Sequence, residues 1–187
     1  NTGRGGLGVI YMWAAGNGHD KGDRSTYDGW NNSPFTISIG ATDDQGNATW
    51  YSEQGPNLVA CAPSNGAGRQ AITTTNNVGY MDTFGGTSSA TPLASGIVAL
   101  MLQAKPTLGW RDVQEILIRT ARKNAPADAD WVVNGAGFNF NHRFGAGVVN
   151  ARAAVNMALT WTNLGPRRSH IETQSAIATA IPDNNPT

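Results

Sequence analysis

Gly85-Gly86-Thr87-Ser88-Ser89-Ala90-Thr91-Pro92, followed by apolar residues at Leu93, Ile97, Val98, Leu100 and Met101, is the stretch that decides how the chain is read. The apolar spacing marks a helix with one face on a core. A serine placed by two glycines at the mouth of such a helix has an exposed hydroxyl, and the free N–H groups and helix dipole beside it favour negative charge. Physics alone leaves two readings open: a simple N-cap, since Ser and Thr are preferred there, or a nucleophile for acyl transfer.

Upstream, Gly8-Val9-Ile10-Tyr11-Met12-Trp13-Ala14-Ala15 is a short apolar run that stops at Gly16-Asn17-Gly18 and predicts a buried strand. Residues 18–34 are rich in Gly, Asp and Asn and read as a long functional loop. Phe35 to Ala41 and Leu58 to Ala62 predict two further strands, with a turn over Asp43 to Asn47. Downstream, Thr107 to Arg122 predicts a second helix with Thr107 as its cap, and Asn150 begins a third. Strands alternating with helices imply an α/β domain with a mostly parallel sheet flanked by helices. From about Thr160 the pattern changes, so residues 1–162 are taken as part of one domain and 163–187 as a linker and the beginning of a β-rich one.

Thirteen basic and thirteen acidic residues cancel, which argues against a nucleic-acid or membrane-surface partner held by bulk charge. The one cysteine, Cys61, has no internal partner and reads as a buried thiol. No apolar run is long enough for a membrane span, and Asn1-Thr2-Gly3-Arg4 resembles neither a signal peptide nor a start, so the chain is expected to begin mid-protein. Gly3-Arg4-Gly5-Gly6-Leu7-Gly8 matches a dinucleotide-binding fingerprint, yet it precedes a strand where that motif must follow one. Asn31-Asn32-Ser33 and Asn47-Ala48-Thr49 match glycosylation acceptors of the kind that Asn-rich loops generate by chance.

Gly86-Thr87-Ser88-Ser89-Ala90-Thr91-Pro92 resembles the nucleophile motif of the subtilase family of serine proteases, and Trp13-Ala14-Ala15-Gly16-Asn17-Gly18 resembles its oxyanion-asparagine segment. The resemblance narrows to the kexin and furin branch through Gly3 to Gly8, Asp28-Gly29-Trp30-Asn31-Asn32-Ser33, Trp50-Tyr51-Ser52-Glu53, Leu108 to Gln114 and His142 to Ala151. It implies a subtilisin-like fold, part of a catalytic domain, and a tail from Leu164 like the start of a P domain. It also implies a Ser-His-Asp endopeptidase in which Ser88 attacks and Asn17 with the Ser88 N–H holds the oxyanion. Ala14, Ala15 and Gly16 would line the primary pocket, Asp28 would pair with a substrate Arg or Lys, and Trp30 would border a further basic-residue site. Asp23 and Glu53 would bind a structural Ca²⁺ together with a carboxylate from upstream.

A serine needs a base, and in this family it precedes the serine. His19 matches no family base, and His142 and His170 follow Ser88. The His and Asp are therefore expected in an upstream half of the same protease, and the chain alone is expected to be inactive. The family reading implies a secreted, extracellular, periplasmic or lumenal protein acting on peptides or proteins with basic residues. The alternative is a catalytically silent subtilase fold that binds a partner. The cysteines that furin places in the Asp28 loop are missing here, which suggests a prokaryotic or divergent relative.

Overall fold

The computed structural model describes residues 3–165. Its centre is a parallel sheet of β1 (Tyr11–Ala14), β2 (Thr36–Thr42) and β3 (Leu58–Pro63), in that order. Ala14 pairs with Ile39 and Ile39 with Ala60, so all three strands deliver their C-terminal ends to one edge of the molecule. β2 lies between two neighbours and is buried along its whole length, its Thr36, Ser38 and Thr42 included, whereas β1 at the border leaves Tyr11 and Trp13 exposed. Segment 146–149 extends the ladder beyond β3, with Val149 N–H donating to the Cys61 carbonyl (2.9 Å).

Helix α1 (Thr87–Ala104) crosses this sheet and packs on α3 (Ala151–Thr160) and on all three strands. Its face of Ala90, Ala94, Ile97, Val98 and Met101 meets Ile37, Ile39 and Ala60 in the main core, completed by Val113, Ile116 and Leu117 of α2 (Trp110–Thr120). The alanines permit close approach, and each large side chain withdrawn from water contributes about 1.5–3 kcal/mol. Asn150 caps α3 by accepting from Ala153 N–H (3.1 Å). The cap of α2 differs from expectation: Gly109 occupies it, and the buried Asp112 carboxylate accepts from the Gly109 N–H (2.6 Å), so Thr107 is not the cap.

Two hairpins were not expected from the sequence: β4 (Ile72–Asn76) with β5 (Gly79–Phe84), and β6 (Val132–Val133) with β7 (Asn139–Phe140). Both are short and largely exposed, and so carry no alternating pattern. Gly3–Gly6 form a 3₁₀ turn ahead of β1, not a strand-to-helix turn, so the glycine-rich match there has no dinucleotide-binding geometry. Residues 161–165 remain tied to α2, with Leu164 N–H and the Trp161 indole both donating to Asp112. The expected P-domain segment lies outside the described residues from 166 onward, as does His170. Among the described residues no helix is long and apolar enough to cross a membrane.

Candidate active site

Ser88 is the second residue of α1 and is exposed at the edge where the parallel strands end. It is not the N-cap, which is Gly86. Gly86 has φ 76° and ψ 175°, a backbone region open essentially to glycine, which turns the chain abruptly into the helix. At position 88 the backbone N–H lies in the first turn and has no helical acceptor. Pro92, one turn on, has no N–H to give to the Ser88 carbonyl.

The turn is braced from β3. Just past the end of that strand, Ser64 Oγ donates to the Gly86 carbonyl (2.7 Å) and lies 2.6 Å from Ser89 Oγ. Asn65 Oδ1 accepts from Gly86 N–H (2.9 Å) and from the Tyr51 hydroxyl (2.8 Å). Ser64, Asn65 and Tyr51 escaped the sequence reading, because polar residues that brace a loop 20 to 40 positions away leave no local pattern.

Asn17 follows β1 and faces the same turn. Its Oδ1 accepts from both the Thr87 N–H (2.8 Å) and the Thr87 hydroxyl (2.9 Å). An N–H can only donate, so the carbonyl oxygen must face it and the amide Nδ2 is turned away from Thr87. Gly16 N–H donates to Thr87 Oγ1 (3.3 Å), locking the two motifs together across 71 positions.

Beyond Gly16 opens a pocket of about 320 Å³ lined by Ala14, Ala15, Gly16, Asp23, Asp28 and Glu53, with Trp13, Arg24, Tyr27 and Asn31 completing the wall. Six of the predicted site residues thus converge. Trp30 is not in this wall, but it stacks on Trp13, with ring centroids 5.5 Å apart, and stays 65% exposed. Asn31 was missed as a site residue: it is buried, donates to the Ala14 carbonyl (2.9 Å) and accepts from Ser38 Oγ (2.7 Å). That burial removes it as a glycosylation acceptor, while Asn47 is exposed.

The acids differ from one another. Asp28 is exposed; its Oδ1 is oriented by the N–H groups of Trp30 (2.7 Å) and Asn31 (2.9 Å), the geometry of an Asx turn that keeps the carboxylate at the surface. Glu53 is buried and accepts from Gly18 N–H (2.9 Å). Burial pushes its carboxyl above the ordinary value, the Gly18 N–H pulls it back, and the charges of Asp23 and Asp28 push it up again. A Cβ on Gly16, whose φ is 111°, would fall 2.2 Å from Glu53 Oε1, and one on Gly18 would touch both Asp23 and Glu53. The two glycines therefore make room for Glu53 and, at Gly18, for Asp23, an oxygen-only set that suits a hard cation. Among the described residues no group of three or more acidic, His or Cys side chains gathers to hold a metal, so two carboxylates fit a Ca²⁺ site only in part.

Both described histidines are engaged with other side chains. Gln54 occupies the His19 ring nitrogen (3.1 Å). His142 pairs with Asp130 (3.0 Å) on a turn whose Gly145 packs on Leu58 and Val59, at the start of β3. Ser64, past the other end, is the residue that meets Gly86. Six strand residues separate the two, about 20 Å.

Residues 1–147 match the subtilase family, peptidase S8. The chain is 42% identical over 171 residues to Furin-1 of Xenopus laevis, covering 90% of this chain and 22% of that protein. It is 39% identical over 189 residues to proprotein convertase subtilisin/kexin type 7 of Homo sapiens, covering 98% of this chain and 24% of that one. The chain thus spans about a quarter of the curated relatives it matches. In structure it resembles the serine protease of Aeromonas sobria with a TM-score of 0.79 at 24% identity, over 86% of this chain and 38% of that one, a likeness of fold. With a subtilisin-like sheet and helices, a family match over most of its length and furin-like relatives at about 40% identity, the chain belongs to the subtilase family, in its kexin and furin-like branch.

Proposed function

We propose that this chain is the nucleophile-bearing part of a serine endopeptidase that cleaves after Arg or Lys. The observation that supports the reading is the Asn17–Thr87 contact, which ties the Asn17 amide to the residue before Ser88, whose own hydroxyl is exposed. In the reaction the Ser88 hydroxyl loses its proton to an upstream His, held by an upstream Asp, and attacks the peptide carbonyl. The oxygen of that carbonyl gains charge between Asn17 Nδ2 and Ser88 N–H, where preorganised donors are worth most. The His then returns the proton to the leaving amine, and water releases the acyl group from Ser88.

Asp28 pairs with the basic side chain preceding the cut, over a wall made by Ala14, Ala15 and Gly16, and Trp30 on Trp13 offers a ring face to a further cation. Asp23 and Glu53, with oxygens from upstream, would hold a Ca²⁺ that neutralises the acids beneath the pocket. Furin-like relatives support a location outside the cytoplasm, secreted, extracellular, periplasmic or lumenal.

The test is turnover by the intact protease of matched peptides with Arg or Leu before the cut. Cleavage of the Arg peptide that disappears in Ser88→Ala is the expected result. Turnover surviving Ser88→Ala defeats the mechanism, and equal rates on the two peptides defeat the specificity. An upstream region without a His-Gly-Thr segment preceded by Asp-x-Gly would instead favour a silent, partner-binding subtilase fold.

A further inference from the structure

Arg24 lines the same pocket as Asp23, Asp28 and Glu53. A cation in the wall of a site meant for cations calls for a reason. The usual one, a structural ion pair, is absent: the Arg24 guanidinium is exposed and makes no hydrogen bond or ion pair with any described residue. The residue is held only through its backbone, whose N–H donates to Asp23 Oδ1 (2.8 Å). The three acids are likewise oriented by backbone N–H groups, those of Arg24, Trp30, Asn31 and Gly18, and not by the guanidinium. The positive charge is therefore not cancelled by one fixed acid and acts on whatever enters.

A pocket of about 320 Å³ is about 8 Å across if round. Two unit charges at ~8 Å, in a medium between protein and water, change an affinity by about fivefold.

We propose that Arg24 sets the selectivity of this pocket: its unpaired charge opposes an entering Arg or Lys side chain, weakening capture of basic residues and widening tolerance for uncharged ones of similar length. This rests on the reading that the pocket takes the side chain preceding the cut. It makes Arg24 a specificity-determining residue, opposite in sign to Asp28.

The test compares kcat/KM of the intact protease on three peptides differing only in that side chain, Arg, Lys or norleucine, for wild type, Arg24→Gln, Arg24→Glu and Asp28→Asn. Arg24 is exposed, so its replacement does not disturb packing. Arg24→Gln should raise the Arg-to-norleucine ratio about fivefold, mainly through KM, and Arg24→Glu should raise it further. Both gains should shrink at high salt, because an exposed charge is screened. An unchanged or lowered ratio in both Arg24 variants, with Asp28→Asn collapsing it, overturns the proposal and leaves the pocket reading standing. A ratio that Asp28→Asn does not move removes the pocket reading, and the proposal with it.

Discussion

The serine turn and the acid pocket meet at Gly16 and Asn17 yet are built in opposite ways. Around Ser88 each bracing group has its partner: Ser64, Asn65 and Asn17 bond Gly86, Thr87 and Ser89, and the Tyr51 hydroxyl in turn holds Ser64 and Asn65. Around Asp28 like charges gather, no Lys or Arg side chain among the described residues pairs with them, and burial and repulsion push the Glu53 carboxyl up. The difference teaches that this edge of the sheet joins a finished element to an unfinished one. Under the proposed function, the serine turn is preorganised by closed hydrogen bonds, as an acyl-transfer site requires. The pocket keeps unbalanced charge, which serves binding of a cation from outside.

The sharpest way to break this comparison is at its finished side. Ser88→Ala in the intact protease should lower kcat on the order of 10⁶, the loss a subtilisin shows when its own serine is removed, and burst kinetics should vanish. At the unfinished side, Asp28→Asn should lower kcat/KM for an Arg peptide on the order of 10 to 100-fold, the scale of a hydrogen bond to a charged group, and spare a norleucine peptide. If both peptides fall together, Asp28 shapes the loop and does not read charge.

Smaller effects sharpen the contrast through stability. Gly86→Ala should cost about 1–3 kcal/mol, because alanine is strained at φ 76° and ψ 175°, and its Cβ would lie 3.1 Å from Asn17 Nδ2. Differential scanning calorimetry would show a Tm lowered by several degrees. Glu53→Gln should do the reverse in calcium-free buffer. A carboxyl whose folded pKa is raised binds its proton more tightly in the fold than in the unfolded chain, so stability falls as pH rises from its ordinary 4.5 through the raised value. The Gln variant should lose that fall, and added Ca²⁺ should stabilise the parent and not the variant. No difference between the two in denaturant titrations at pH 4.5 and 7 would place Glu53 outside any charge imbalance.

The smallest effect belongs to Asp130. Partial burial would raise its carboxyl, but the His142 N–H and ring and the nearby Arg143 hold it below the ordinary value, so its contribution is present above pH 3.8 and is lost as pH falls through the lowered one. Because the pair is exposed, Asp130→Asn should change stability at neutral pH by at most about 1 kcal/mol.

Local order was legible in the residues. The apolar runs predicted β1, β2, β3 and α1 close to their observed ends, and the two motifs named Ser88 and Asn17 before any contact was visible. Periodicity and short motifs lie in consecutive residues, where sequence records them directly. The exposure of Asp28, the Gly109 cap on α2 and the two short hairpins were not legible, nor were the Ser64, Asn65 and Tyr51 braces. The sequence by itself determined the family, through the motifs around Ser88 and Asn17, and named the candidate acids. The tertiary structure alone decided that Asn17 turns its amide beyond Thr87, that Gly16 and Gly18 yield space to Glu53, and that Arg24 stands in the wall beside Asp28. The first two are contacts between residues 35 to 70 positions apart, made by single polar groups whose partners follow from how the strands end together, and such contacts leave no periodic trace in the chain.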